Sequence, residues 1–444
     1  MYDTVSQYDQ VLSGDVTDWH PPIMVRLWQL LHPLAPGTAP MFVLQVALYA
    51  LGFLLIVSAL VRIGRGKTAI ATAVLAVSPL LIGWQMVVIK DAQMQAALVA
   101  GFGIVAYFRL IGRSVPVLGL VAAALLLLYA TLVRANAVFV TVPLVLLLAA
   151  RPASMPWKAA LGLGATALVL LLSAPINHRL LGAEDSGVAK SQAIFDLAAV
   201  AVSTSDPQPF TPAERAAIAR RRCVKSYFWD PLGDPSACGP ITDRLDEQPQ
   251  ETLYLELAKA AASHPIAYAE HRLRHWNSSE RWLVPPGLPE AGPPDEAEPN
   301  DIGLETPRSP LMPAWQSVAG AEAATPWGWP IAWSALSLCL LPAAWRRRED
   351  PAGGLALSLL ASALSLEASF LVISIASDLR YHLWPMAASA LALILLSDRL
   401  ALKRWEWITA ATALLLVVTG GAYARATLPQ APDSYQGMLQ SSPG

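Results

Sequence analysis

The class of fold is decided by residues 41–62, which read M-F-V-L-Q-V-A-L-Y-A-L-G-F-L-L-I-V-S-A-L-V-R. No charged side chain interrupts this stretch before Arg62. A helix of roughly 20 apolar residues is long enough to cross the hydrocarbon core of a bilayer. The whole chain has the same character, because 55% of its 444 residues are hydrophobic and 14% are charged, against about 25% charged in a typical soluble domain. We therefore expect an all-helical integral membrane protein.

Nine similar apolar segments follow this stretch, and we predict ten membrane-spanning helices. They lie near residues 41–62, 68–89, 92–108, 115–133, 136–150, 159–176, 327–345, 354–376, 383–397 and 405–422. The segments 136–150 and 383–397 are short, so a tilted or broken helix is an alternative there.

Positive charge is concentrated in every second connection between these segments. Lys and Arg in short loops resist translocation, so loops rich in them face the cytoplasm. The basic connections hold Arg62, Arg65, Lys67, Arg109, Arg113, Arg151, Lys158, Arg346, Arg347, Arg348, Arg399, Lys403 and Arg404. The alternate connections carry Lys90, Arg134 and Arg380. This asymmetry predicts that the N-terminal segment, the long central stretch and the C-terminal tail all lie outside.

The predicted organisation is a polytopic helical bundle with one large outer domain. Residues 1–40 form an outer first loop, 41–176 the first six helices, 177–326 the outer domain, 327–422 four more helices, and 423–444 an outer tail. In a bacterium this arrangement corresponds to an inner-membrane protein with a periplasmic domain. The outer domain includes a Pro-rich acidic stretch from Pro285 to Asn300, which is expected to be a loop.

Two of the three cysteines, Cys223 and Cys238, fall in this outer region, and Cys339 lies in an apolar segment. An oxidising periplasm permits a disulfide between Cys223 and Cys238, which we expect; two unrelated thiols are the alternative. The spacing does not match the paired C-x-x-C of structural zinc sites.

Residues 2–22, Y-D-T-V-S-Q-Y-D-Q-V-L-S-G-D-V-T-D-W-H-P-P, resemble the first outer loop of membrane glycosyltransferases with the GT-C fold. These enzymes take a sugar from a polyprenyl-phosphate carrier, as the protein mannosyltransferases and aminoarabinose transferases do. The family has a transmembrane helix ahead of this loop, and we expect that helix to be missing here.

Three further matches carry the resemblance. Lys90 and Asp91, at the outer end of the second predicted helix, are similar to the second acidic position of the family. Asp378, Arg380, Tyr381 and Pro385 resemble its D-x-R-Y-x-x-x-P element. Residues 262–276, A-S-H-P-I-A-Y-A-E-H-R-L-R-H-W, resemble an amphipathic stretch of the outer domain in bacterial members.

Glycosyl transfer from a lipid phosphate needs a base for the acceptor hydroxyl and positive charge or a metal for the departing phosphate. The resemblance implies that Asp3 is the base, with Asp9 as the alternative. Asp91 would orient the acceptor or hold a divalent ion such as Mg²⁺ or Mn²⁺. The expected substrate-binding residues are Lys90, His20, Arg134, Arg380, Tyr381 and Asp378.

Each of these residues also has a structural interpretation. Asp91 and Lys90 could be ordinary helix-end residues, Asp3 part of an acidic tail, and Arg134 a side chain that reaches the interface. Glu367 lies within an apolar segment, so it should face the bundle, where hydrogen bonding to a neighbouring Ser or Arg is at least as probable as catalysis.

His271 and His275 are one helical turn apart, which suits a shared metal ion. No further ligand is evident in the sequence. We therefore favour an amphipathic helix that contacts lipid phosphate or the acceptor through these histidines, Arg272 and Arg274.

The resemblance implies transfer of a sugar from a polyprenyl-phosphate donor to a cell-envelope acceptor, with inversion at the anomeric carbon. The expected partners are the donor, the acceptor and membrane lipid, with no nucleic acid. A transporter or flippase for a lipid-linked sugar, a polysaccharide polymerase or ligase, and a structural membrane subunit are the alternatives. ATP-driven transport is disfavoured because the sequence has no P-loop or other nucleotide-binding motif.

Overall fold

The computed structural model describes residues 2–149, 154–204, 209–294, 296–305, 309, 311–397 and 403–441. Over these residues the chain is helix and loop, with two isolated β-bridges and no strand. Arg151 and Arg399, two of the basic loop residues, lie outside the described residues. The helices are α1 (Tyr2–Ser13), α2 (Pro22–Leu31), α3 (Ala39–Arg62), α4 (Gly66–Ala76), α5 (Pro79–Gln85), α6 (Lys90–Leu110), α7 (Val117–Val133), α8 (Val138–Leu148), α9 (Met155–Ala174), α10 (Ser191–Ser203), α11 (Pro212–Arg221), α12 (Asp230–Gly233), α13 (Gly239–Asp246), α14 (Gln250–Ser263), α15 (Pro265–Ser279), α16 (Leu311–Ala324), α17 (Pro330–Arg346), α18 (Pro351–Ile373), α19 (Leu383–Ser397), α20 (Arg404–Thr427) and α21 (Tyr435–Gln440).

Six helices among the described residues are long and apolar enough to cross a membrane, or seven if a bent pair counts as one span. The apolar helices indicate a multi-pass membrane protein. The six are Ala39–Arg62, Lys90–Leu110, Pro156–Leu180, Pro351–Ile373, Leu379–Ser397 and Arg404–Thr427. The apolar helix α7 and the segment Ala135–Leu148 are shorter. Helices occupy all ten predicted segments, and the count of ten spans stays a prediction.

The segment 68–89 was expected to be one helix, and this expectation is wrong. It is divided into α4 and α5, which are bent by 50°. Ser78 precedes Pro79 and has an extended backbone, because a residue before proline is disfavoured in the helical conformation. The Glu322 carboxylate then accepts hydrogen bonds from the Leu80 backbone N–H at 2.8 Å and the Ser78 hydroxyl at 3.0 Å. These bonds give hydrogen-bond partners to polar groups at the point where the helix is interrupted.

The closest helix packing is between α3 and α6, whose backbones touch at two glycines. A Cβ added to Gly52 would lie 2.4 Å from the Val99 carbonyl, and one added to Gly103 would lie 2.6 Å from the Gly52 oxygen. Small residues allow such approach within membrane helix bundles. As a result α6 is buried along most of its length, and its first turn, with Lys90 and Asp91, is held in a fixed position.

The described chain divides into two compact units, each built from separate parts of the sequence. The first consists of Met1–Asp185, Ala291–Glu367 and Arg380–Leu416, and the second of Ser186–Glu290, Ala368–Leu379 and Val417–Gly444. The second unit is centred on α10, whose Phe195 and Leu197 are buried. Its core also includes Cys223 and Cys238, which form the expected disulfide.

The predicted contact of α15 with lipid phosphate is wrong for three of its four basic residues. His271, Arg272 and His275 share one helix face, and this face packs on α10. The Asp196 carboxylate accepts from Arg272 at 3.1 Å and lies 3.0 Å from the His271 Nε2. His275 bonds to the backbone oxygen of Ser226. A metal ion shared by the two histidines is therefore not supported.

Arg272 also donates hydrogen bonds to the backbone oxygens of Phe370, Leu371 and Ser374. This guanidinium is 3% exposed, whereas that of Arg274, two residues later, is 63% exposed and pairs with Glu270. Arg272 therefore has a structural role within the second unit, while Arg274 remains at the surface.

Replacing Arg272 with Met should destabilise the second unit by about 3 kcal/mol or more, because it leaves the buried Asp196 without its cation. Replacing Arg274 with Met is the matched control and should cost less than about 0.5 kcal/mol. Hydrogen-exchange mass spectrometry of α10 and α15 would measure the loss of protection. Equal protection in the two variants would contradict the structural role of Arg272.

Candidate functional site

Helix α1 is held against the start of α6 by a small hydrophobic core and one long-range hydrogen bond. Tyr8 and Val11 pack with Trp28 and other buried residues of the first unit. The Thr4 hydroxyl donates to the backbone oxygen of Val88 at 2.9 Å. Because Asp3 precedes Thr4 and Lys90 follows Val88 by two residues, this contact brings the acidic end of α1 to the basic end of α6.

A second set of hydrogen bonds fixes the chain on the other side of the site. The Gln95 amide of α6 donates to the backbone oxygen of Leu383 at 3.2 Å and accepts from Gln85 at 2.9 Å. Leu383 directly follows the short 3₁₀ helix Leu379–His382. These buried amides hold α6 beside the turn that carries Arg380 and Tyr381.

Two carboxylates and three cations meet where these elements come together. The Asp3 Oδ2 lies 3.6 Å from the Lys90 Nζ and 3.3 Å from the Arg380 Nη1. The Asp91 Oδ2 lies 3.6 Å from the Arg380 Nε, and its Oδ1 accepts a hydrogen bond from Arg134. Arg380 therefore bridges the two acids.

The Tyr381 ring completes one wall of this cluster. The Arg134 guanidinium lies 4.0 Å from the ring centroid and that of Arg380 lies 5.6 Å away, both within range of a cation–π interaction. Arg134 reaches the ring because α7 ends at Val133 and Arg134 itself is extended. With its side chain 13% exposed, Arg134 is paired inside the protein, so its interpretation as a side chain that merely reaches the interface is not supported.

The charged side chains named for this cluster are three cations and two carboxylates. Its side chains are 0–18% exposed, so solvent screens them weakly. Burial alone would raise the pKa of Asp3, but Lys90 and Arg380 outweigh it and hold the pKa below its ordinary value of 3.8. Asp3 is therefore a carboxylate at neutral pH and a weak base while these ion pairs persist.

His20 lies beside this cluster and is 1% exposed. Burial, together with the charge of Lys90, lowers the pKa of His20 from 6.5 to about 4, against the opposing effect of Asp3. The ring is therefore neutral at pH 7. Its centroid is 6.5 Å from that of Tyr2. The His-Pro-Pro motif thus supplies an uncharged polar group next to an ionic one.

One of the predicted site residues, Asp9, does not join the cluster. Asp9 is exposed on α1, so it is separated from the buried carboxylates. The spacing explains this: six residues after Asp3 the helix has turned by about 600°, so Asp9 points about 120° away from Asp3. Asp378, two residues before Arg380, is 9% exposed.

Two buried polar groups near the site were not singled out from the sequence. His382 follows Tyr381, and its Nδ1 lies 2.8 Å from the Glu367 carboxylate. The prediction that Glu367 faces the bundle is confirmed, and one of its partners is this histidine. The other group is Gln7, which is completely buried on the same face of α1 as Asp3. Its spacing of four residues from Asp3 was the available signal.

The residues of the cluster do not fit a divalent metal ion. Asp3 and Asp91 are the available oxygen ligands, and both are already engaged by Lys or Arg side chains. Three cations around them would repel Mg²⁺ or Mn²⁺. Across the described residues there is no group of three or more His, Cys, Asp or Glu side chains that could hold a metal. The arrangement is instead suited to an anion.

No protein-family model, curated protein or solved structure matches this chain. What the site can do is therefore argued from its own groups. Three cations can bind a phosphate, a carboxylate can accept a proton, and neutral polar side chains can form hydrogen bonds with uncharged ligand groups.

The neutral His20 makes stability depend on pH. Between pH 6.5 and about 4 the unfolded chain binds a proton that folded His20 does not, so stability falls as the pH falls through this range. The loss should be about 2–3 kcal/mol. We expect the thermal unfolding midpoint in detergent to drop more steeply from pH 7 to pH 4 in the wild type than in His20→Phe. Parallel curves would show that His20 is not held neutral by folding.

Proposed function

We propose that this protein is a membrane glycosyltransferase of the GT-C type. It transfers a sugar from a polyprenyl-phosphate carrier to a cell-envelope acceptor, a lipid, glycan or protein. The observation that carries the proposal is the cluster in which Asp3 and Asp91 are bridged by Arg380 and flanked by Lys90 and Arg134. It combines an anion site with a carboxylate base.

The cations supply the phosphate site. Arg binds phosphate through two parallel hydrogen bonds, and Lys acts as a compact point charge. In the transfer, the acceptor oxygen forms a bond to the anomeric carbon while the bond from that carbon to the phosphate oxygen breaks. The phosphate leaves with the electron pair, and Lys90, Arg134 and Arg380 stabilise its charge. Attack opposite the leaving group inverts the anomeric centre.

Asp3 accepts the proton from the acceptor hydroxyl. In the free protein its ion pairs with Lys90 and Arg380 lower its basicity. When the phosphate attracts these two cations, the pKa of Asp3 rises toward its ordinary value and the carboxylate becomes a stronger base. Asp91, which is fully buried and bonded to Arg134, positions that cation. The low exposure of the cluster favours these charge interactions.

The surroundings of the cluster suit a lipid donor. Lys90 and Asp91 begin one candidate span, and Arg380 and Tyr381 lie in the first turn of another. The loop charges favour an outer location for these ends, which in a bacterium is the periplasmic side of the inner membrane. A polyprenyl chain in the bilayer would thus bring its phosphate to the cluster.

The test is transfer of radiolabelled sugar from polyprenyl-phosphate donors by the full chain in lipid nanodiscs. Asp3→Asn should lower the rate at least about 100-fold, because it removes the base. Asp9→Asn is the matched control on the same helix and should stay within about twofold of the wild type, because Asp9 is exposed. Thermal unfolding of each variant checks that it is folded.

Equal rates for both variants would reject Asp3 as the base. Transfer absent with every donor, together with movement of the intact lipid-linked sugar across the bilayer, would indicate a transporter or flippase. Long glycan products instead of single-sugar addition would indicate a polymerase or ligase. Absence of transfer, transport and polymer would leave a structural subunit.

A further inference from the structure

Gln7 is a buried polar side chain for which the fold provides no partner. It is completely buried on α1, and within the described part of the chain neither its Nε2 nor its Oε1 has a hydrogen-bond partner. Burying an amide without hydrogen bonds is unfavourable, and buried polar groups in proteins are nearly always paired. Gln10, three residues later on α1, shows the usual case, since its amide bonds to the backbone N–H and the hydroxyl of Thr17.

The helix geometry directs Gln7 toward Asp3. Residues four apart on a helix have Cβ atoms about 5–6 Å from each other. Cα–Cβ bonds in a helix tilt toward its N-terminus, so the Gln7 side chain extends back toward the turn of Asp3. Thr4 lies on the same face and is bonded to Val88, two residues before Lys90. Gln7 therefore lies on the face of α1 that carries Asp3 and Thr4.

His20 has the same unusual property. Both of its ring nitrogens are buried without a hydrogen-bond partner among the described residues. Its ring centroid lies 6.5 Å from that of Tyr2, which directly precedes Asp3 on α1, and the charges of Lys90, Asp3 and Arg380 act on it. A neutral imidazole provides one donor and one acceptor, and the amide of Gln7 provides two donors and an acceptor oxygen.

We propose that Gln7 and His20 form a neutral subsite that binds the hydroxyl groups of the donor's sugar, next to the cations that bind its phosphate. This inference rests on the proposed function. A hydroxyl both donates and accepts, so it matches an amide and a neutral ring. Two other kinds of ligand fit less well. A second anion would bind better to cations than to neutral groups, and an apolar ligand would leave the buried amide and ring nitrogens without hydrogen bonds. The subsite therefore distinguishes the sugar-bearing donor from the spent carrier phosphate.

The test compares a bare polyprenyl phosphate with the same phosphate carrying a sugar. A hexose and a pentose are each tried as that sugar. The dissociation constants of these lipids are measured with the full chain in nanodiscs. The wild type should bind its preferred sugar-bearing lipid at least about tenfold more tightly than the bare phosphate. Gln7→Met keeps the side-chain size but cannot form the hydrogen bonds, and it should remove most of this preference. Its affinity for the bare phosphate should stay within about twofold of the wild type.

Gln10→Met is the matched control, because it removes a buried amide of α1 that already has partners. We expect it to lower the thermal unfolding midpoint and to leave the sugar preference intact. Gln7→Met should leave the midpoint of the ligand-free protein unchanged or raise it, because the amide it removes is unpaired there. His20→Phe should weaken the sugar preference in the same way as Gln7→Met.

The possible failures are distinct. If Gln7→Met keeps the full preference for the sugar-bearing lipid, or weakens both lipids equally, the subsite does not exist and buried water satisfies the amide. If the wild type binds the bare and the sugar-bearing lipid equally tightly, Gln7 does not select the sugar. The proposed phosphate site would still be supported. If neither lipid binds the wild type, the proposed function fails and the inference fails with it.

Discussion

The Arg380 bridge between Asp3 and Asp91 is the interaction on which the site depends. Removing several charges from water is unfavourable unless each one finds an opposite charge or hydrogen-bond partners. Arg380 lies within 3.3 Å of an Asp3 oxygen and 3.6 Å of an Asp91 oxygen. It thereby joins three segments distant in sequence: the first turn of α1, the first turn of α6 and the turn before α19. The hydrogen bonds from Thr4 to Val88 and from Gln95 to Leu383 hold the same three segments together.

The second unit contains a buried ionic group of a different kind. Arg272 binds the Asp196 carboxylate and three backbone oxygens, so its hydrogen-bonding capacity is largely used within the fold. This buried ionic group therefore has a structural role in the second unit. In the first unit, by contrast, Gln7 and His20 are buried and lack hydrogen-bond partners among the described residues. Buried polar groups without partners are unfavourable in a purely structural network, whereas a bound ligand can supply the missing hydrogen bonds.

The proposed chemistry uses the same interactions that stabilise the free site. The ion pairs of Asp3 keep it ionised but weaken it as a base, and they keep Lys90 and Arg380 close to where a phosphate would bind. A phosphate that binds competes with Asp3 for these cations, so the pKa of Asp3 rises and it becomes a stronger base. The glycine contact between α3 and α6 and the amides of α6 keep the cations in place during this exchange.

The sequence by itself determined the membrane character, the positions of the apolar helices, the disulfide and the inward orientation of Glu367, because hydropathy, cysteine location and the cost of a charge in an apolar helix are local properties. It also identified most residues of the cluster. Only the tertiary structure decided that Asp3 is largely covered and ion-paired while Asp9 is exposed, that Arg272 is buried, and that Glu367 binds His382. Those outcomes depend on which helix faces meet, and partners such as Asp91 and Arg134, 43 residues apart, are brought together only by packing.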